Sequence, residues 1–127
     1  RSDRDWSSDV CSSDLISRIA ELAGRMHSSG MAHQDFYLVH IFVKEKDGDS
    51  ISLIDLQRVV FPESFSERWR IKDLAQLLYS SEKYVTRSDM LRFWKTYASI
   101  AGKGLLRDKA LMKKIFSKAA SIRRHAG

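Results

Sequence analysis

Cysteine is nearly missing from this chain. The single Cys11 has no partner for an internal disulfide, so a reducing compartment is the natural home. Proline occurs once, and Pro62 marks residues 59–66 as a loop. No apolar run approaches the eighteen or so residues that a membrane span needs, and no signal-peptide pattern opens the chain. Internal repeats are absent as well. What is present is ordinary for a soluble domain: 127 residues, 43% apolar and 30% charged, enough for one domain with a core.

Charge is unevenly placed. Residues 1–63 hold 7 Lys and Arg against 11 Asp and Glu, and residues 64–127 hold 15 against 5. The halves are therefore −4 and +10. A basic half suits an anionic partner, such as a phosphorylated small molecule, nucleic acid or a lipid surface, but on charge alone a solvated lysine-rich helical face is favoured.

Residues 1–14 are polar and without period. They resemble translated sequencing adapter, which heads many unrelated metagenome-derived sequences, and they are expected to be a non-native leader. From Leu15 to Ser29 the spacing of Ile16, Ile19, Leu22, Ala23 and Met26 predicts a helix, ended by Gly30 in the left-handed conformation. The apolar segments Val39–Val43 and Ile51–Leu56 predict two strands, joined by the polar run 44–49 with its Asp47-Gly48 pair. Helices follow: one led by Arg68–Asp73 with Leu74, Leu77 and Leu78 inward, and one opened by Thr86 and Asp89 at capping-box spacing. That second helix shows Met90, Leu91, Trp94, Tyr97 and Ala98 on one side. Gly102 and Gly104 break it, and a last helix from about Leu106 to Arg123 buries Leu111, Ile115, Ala119 and Ile122. Lys109, Lys113, Lys114 and Arg124 take its other face. The fold class is mainly α with a small β-hairpin.

The stretch that carries chemistry is His33-Gln34-Asp35-Phe36-Tyr37-Leu38-Val39-His40, followed by Ile54-Asp55-Leu56-Gln57-Arg58. Protein kinases have a catalytic loop H-R-D, then four residues and Asn, then a second Asp on the next hairpin strand. Here Asp35 is followed by four residues and His40, and Asp55 comes after the predicted hairpin. In this pattern Asp35 accepts a hydrogen bond from the acceptor hydroxyl and orients it toward the terminal phosphoryl group. Asp55 is the candidate Mg²⁺ ligand, because that hard ion prefers carboxylate and phosphate oxygens. His40 stands where the pattern has a metal-binding Asn. Imidazole is a less usual Mg²⁺ ligand, so a hydrogen bond to Asp35 or to a phosphate is its other reading.

Four ordered segments resemble the lipopolysaccharide core heptose kinase family, whose members have a kinase-like fold. They are His33–His40, Leu53-Ile54-Asp55-Leu56-Gln57-Arg58, Arg68-Trp69-Arg70-Ile71-Lys72-Asp73-Leu74 and Leu91-Arg92-Phe93-Trp94-Lys95-Thr96-Tyr97. Order and spacing match over roughly residues 16–125. The resemblance implies ATP-dependent phosphorylation of a heptose in the lipopolysaccharide inner core, with ATP and Mg²⁺ as cofactors. Asp35 would be catalytic, with Asp55 and His40 at the metal and nucleotide. It implies a cytoplasmic enzyme, peripheral at the inner membrane of a Gram-negative bacterium, whose basic half meets an anionic surface and which takes no nucleic acid. Residues 15–127 would be the C-terminal lobe alone. A nucleotide-covering loop, a strand Lys and its helix Glu cannot be assigned before Leu15, and Gly102-Lys103-Gly104 lacks phosphate-loop spacing. The chain alone is therefore expected to be inactive or nearly so.

Plainer readings stand beside these. His33 suits a packed histidine that braces the loop better than a base. Asp73 either caps the following helix or hydrogen-bonds backbone near Asp35. Arg58, Arg68, Arg70 and Lys72 contact phosphates or sugar, or form solvated pairs. Trp69, Phe93 and Trp94 fit helix packing. Rival functions are another kinase-like phosphotransferase, a His33/Asp35/His40/Asp55 transition-metal hydrolase, and a basic anion-binding module without catalysis.

Overall fold

In the computed structural model, which describes residues 13–43, 51–53 and 55–126, apolar spacing becomes four helices around one core. α1 (Ser13–Ser28) buries Ile16, Ile19, Ala23 and Met26 of the predicted stripe and also Leu15, while Leu22 is half-buried at the edge of the core. It ends as Gly30 requires. Gly30 has φ +88, its N–H donates to the His27 carbonyl, and the Met31 N–H donates back to Met26 (3.1 Å). This Schellman closure ends α1 and leads into the link that begins at Met31.

Leu38–His40 form a 3₁₀ turn, not the start of a strand. The His40 N–H closes on the Tyr37 carbonyl, so the ladder begins only at β1 (Ile41–Val43). β1 pairs antiparallel with β2 (Ile51–Leu53) in the register Ile41↔Leu53, Phe42↔Ser52, Val43↔Ile51. The Asp47-Gly48 turn lies outside the described residues. The second predicted strand was too long: Asp55 takes φ +57, outside the strand region, and Leu56 is exposed. A lone bridge between Ala32 and Val60 ties the following loop to the link after α1.

α2 (Glu67–Ser81) starts earlier than expected, so Arg68–Asp73 lie inside it. Asp73 is consequently mid-helix and caps nothing. α3 (Arg87–Ala101) opens with both reciprocal bonds of the predicted capping box, Thr86 Oγ1 accepting from the Asp89 N–H and Asp89 Oδ2 from the Thr86 N–H. It buries Trp94, Tyr97 and Ala98, while Leu91 is exposed. α4 (Lys109–Ala126) starts after a short 3₁₀ segment, Lys103–Arg107, because Asp108 Oδ1 caps it through the Leu111 N–H. Leu111, Ile115 and Ala119 face the core.

α1 packs on α3, and α2 on α4. The first pair approaches closely at Gly24, where an added Cβ would stand 2.9 Å from Ile100 Cβ. Gly24→Ala should therefore lower stability by about 1–3 kcal/mol despite alanine's better helix propensity, because two packed backbones must separate. Urea unfolding of both proteins measures this, and a more stable variant would show that the helices are not in tight contact.

Candidate active site

Residues 33–37 lie in neither helix nor strand and Leu38 only opens the 3₁₀ turn, yet each amide from 33 to 38 is bonded. α2 supplies most of the acceptors from one face. The His33 N–H donates to Asp73 Oδ2 (2.9 Å) and the Gln34 N–H to Asp73 Oδ1 (2.8 Å). The Phe36 N–H donates to Gln76 Oε1 and the Leu38 N–H to Ser80 Oγ, both at 2.8 Å. The two intervening amides close locally, Asp35 N–H on His33 Nδ1 (3.1 Å) and Tyr37 N–H on the Asp35 carbonyl (2.8 Å). Asp73, Gln76 and Ser80 recur at three- and four-residue steps, so one turn of α2 after another presents an oxygen to the loop.

This clamp holds an uncommon backbone. Gln34 has φ +72, a left-handed conformation that costs a non-glycine residue on the order of 1–2 kcal/mol. Gln34 is gripped on all sides. Its carbonyl accepts from Gln76 Nε2, its Oε1 from Lys72 Nζ, and its own Nε2 donates to the Arg58 carbonyl (2.7 Å). The kink leaves Asp35 at the apex with its side chain 21% exposed, where Arg58 Nη1 meets Oδ1 at 3.3 Å.

His40 joins Asp35 to Asp55. Its Nδ1–H donates to the Asp35 carbonyl at 2.7 Å, and its Nε2 stands 3.2 Å from Asp55 Oδ2. A neutral ring with its proton on Nδ1 turns a lone pair toward that carboxylate. Two acceptors facing each other suit either a second ring proton or a cation shared between them. The donor set therefore fits a divalent ion held mainly by a half-open carboxylate, as Mg²⁺ sites are. Both readings of His40, metal contact and a bond to Asp35, are compatible with one position, the bond being to the Asp35 main chain.

His33 is fully buried and its Nδ1 accepts the Asp35 amide, the bracing role. Among the described residues no group of three or more His, Cys, Asp and Glu is arranged to hold a metal. Of the cations, Arg58 reaches Asp35, Lys72 reaches Gln34, Arg70 turns inward to Tyr97, and Arg68 lies over the Trp69 ring. Desolvation, and then the nearby Arg58, push the Lys72 ammonium below its usual range.

Sequence reasoning missed His27, Gln76, Ser80 and the Tyr97 hydroxyl. His27 is buried, with Nε2 at 2.9 Å from Asp73 Oδ2 and Nδ1 at 2.7 Å from Tyr97 Oη. The available signal was polar residues at the very positions where the apolar spacing of α1 and α2 predicts core. Desolvation dominates at His27 and lowers its pKa, against the pull of Asp73. Burial likewise pushes Tyr97 up to about 12.

Asp35 thus lies on a clamped loop and is linked through His40 to a second acid, Asp55. The chain matches the lipopolysaccharide kinase (Kdo/WaaP) family over residues 2–97, and it belongs to that family. It is 36% identical over 102 residues to the lipopolysaccharide core heptose(I) kinase WaaP of Pseudomonas aeruginosa, covering 76% of this chain and 38% of that protein. It is 34% identical over 116 residues to the Escherichia coli protein of the same name, covering 86% and 44%. The chain thus spans less than half the length of these curated relatives. Among solved structures, WaaP in complex with acyl carrier protein superposes with a TM-score of 0.72 at 34% identity, covering 86% of this chain and 48% of that one.

A pH dependence follows from His27. Its folded-state pKa lies below the usual imidazole value of 6.5, so the unfolded chain binds a proton first as pH falls. This group's contribution to stability is complete above about pH 6.5 and declines below it, by about 1.4 kcal/mol per pH unit at most. Denaturant unfolding from pH 7.5 to 5.5 should show a steeper loss for the wild type than for His27→Gln; equal slopes would contradict a neutral buried His27.

Proposed function

We propose that this chain carries the catalytic loop of an ATP-dependent kinase that phosphorylates a heptose of the lipopolysaccharide inner core. In this reading residues 15–127 belong to the C-terminal lobe of a protein-kinase-like fold. Family membership supports the class. The observation that carries the site is the Asp35–His40–Asp55 linkage on a loop whose amides are bonded throughout residues 33–38.

Asp35 takes the acceptor hydroxyl as a hydrogen-bond donor and aims its oxygen along the line of transfer; a loose transition state makes orientation matter more than basicity. Arg58 yields this carboxylate readily, since it is half-exposed and such surface pairs contribute only about 0–1 kcal/mol. Asp55, with His40, would hold Mg²⁺, which when bound offsets charge on the nucleotide phosphates. His40 also ties the Asp55 side to the Asp35 backbone, so the two acids keep their spacing. Arg58 and Lys72 add positive charge beside Asp35, where phosphate oxygens gather. A nucleotide-covering loop, a strand Lys and a helix Glu would come from a second lobe.

The substrate is a lipid-anchored sugar at the cytoplasmic face of the inner membrane, and the basic residues of 64–127 suit that anionic surface. Among the described residues no helix is long and apolar enough to cross a membrane, which fits peripheral contact. Because a relative was solved with acyl carrier protein, such a carrier is also proposed as a partner.

Radiolabel transfer from ATP to core oligosaccharide tests the reading. A polypeptide joining this chain to a nucleotide-binding lobe should transfer phosphate, and Asp35→Ala should reduce the rate by about a thousandfold with the fold intact. The chain alone should transfer little. Undiminished transfer by Asp35→Ala would overturn the role of Asp35, and brisk transfer by the chain alone would overturn the lobe assignment.

A further inference from the structure

Behind the loop, α1, α2 and α3 meet at a line of four polar side chains in which every hydrogen bond has one direction. Arg70 Nη1 donates to Tyr97 Oη at 2.7 Å. A guanidinium only donates, so the tyrosine oxygen accepts there and its own proton points to His27 Nδ1, also at 2.7 Å. Nδ1 is thereby the acceptor, and the ring proton sits on Nε2, facing Asp73 Oδ2 at 2.9 Å. That same oxygen receives the His33 N–H. The charged groups facing His27 are Asp73 and Arg70, both from α2; Tyr97 comes from α3, and the Phe65 ring covers another side at 4.9 Å.

We propose that Tyr97 and Arg70 are positioning residues for the Asp35 loop: they fix the donor–acceptor direction of His27, so that Asp73 meets a neutral N–H and stays committed to the His33 and Gln34 amides. The proposal rests on Asp35 being the catalytic residue. Its tests need no activity, so they stand or fall separately from that reading.

The physical reason is competition at one oxygen. Without the tyrosine hydroxyl, Nδ1 loses the donor that favours it as an acceptor, so the neutral Nε2–H form loses that advantage over the protonated one. An imidazolium beside Asp73 Oδ2 then draws that oxygen away from the His33 N–H. Arg70 acts through the same hydroxyl. When it is lost, the tyrosine is free to turn its oxygen toward a protonated Nδ1, and the neighbouring positive charge is gone.

The experiment is ¹⁵N NMR of histidine side chains across pH, with amide hydrogen exchange on the same samples. The wild type should show His27 as the neutral Nε2–H form. In Tyr97→Phe and in Arg70→Gln its titration midpoint should move up by about one pH unit, the worth of one lost hydrogen bond. Below the new midpoint, exchange at His33 and Gln34 should quicken by about tenfold, one hydrogen bond's worth of protection. Phe93→Leu removes packing against Tyr97, whose ring centroid lies 6.1 Å away, and should lower stability without moving His27. Arg70 is only partly buried, so Arg70→Gln keeps the test open if Tyr97→Phe does not fold. An unmoved His27 midpoint in the folded variants, an equal shift in Phe93→Leu, or unchanged amide exchange once His27 is protonated would each overturn the proposal.

Discussion

One carboxylate sets the shape of the site. Asp73 lies fully buried in the middle of α2, and its two oxygens receive consecutive main-chain amides, those of His33 and Gln34. A buried amide without a partner costs about 1–3 kcal/mol, so an irregular segment inside a protein needs acceptors supplied from outside itself. α2 supplies them with Asp73, Gln76 and Ser80, a polar line on a helix whose same side also packs Leu74 and Leu77 into the core. The irregular path of residues 33–38 is thus as firmly specified as a strand would be. The left-handed turn at Gln34 is maintained because so many bonds depend on it.

That constraint reaches the chemistry through short covalent distances. Asp35 follows Gln34, and His40 bonds the Asp35 carbonyl while its other nitrogen faces Asp55. Fixing the main chain therefore fixes the relation of the two acids without crossing their side chains over each other. Asp55 is itself in the left-handed region, which aspartate tolerates better than most residues and which turns it out of the β2 strand direction. Two positive φ values, at Gln34 and Asp55, thus lie one at each side of the site.

The parts of this architecture that follow from spacing were legible before any coordinates. The α1 stripe, the Gly30 stop, the Thr86–Asp89 cap and the buried face of α4 all emerge from period, cap and breaker signals. The linkage of Asp35, His40 and Asp55 did not follow from spacing. Strand limits were misjudged for a physical reason. Val39–Val43 reads as an apolar strand, while the Ser80 hydroxyl, accepting from the Leu38 N–H, and the Tyr37 carbonyl, accepting from the His40 N–H, hold Val39 and His40 in a 3₁₀ turn. The polar support was hidden for a related reason. His27, Gln76 and Tyr97 sit among apolar neighbours, and a period analysis treats them as exceptions to a stripe; their partners are 70, 40 and 27 positions away in the chain. From spacing Asp73 suits either a helix cap or a bond to the loop; the start of α2 at Glu67 and the two amide bonds Asp73 accepts decide for the loop.

The most direct measurement is amide hydrogen exchange of His33 and Gln34 in the wild type and in Asp73→Ala, at a pH where both remain folded. If Asp73 anchors the loop, these two amides are strongly protected in the wild type. In the variant they lose at least about tenfold of that protection, while the amides of α3 are unaffected. Equal protection at His33 and Gln34 in both proteins would contradict the account, because the loop would then be held by something other than Asp73.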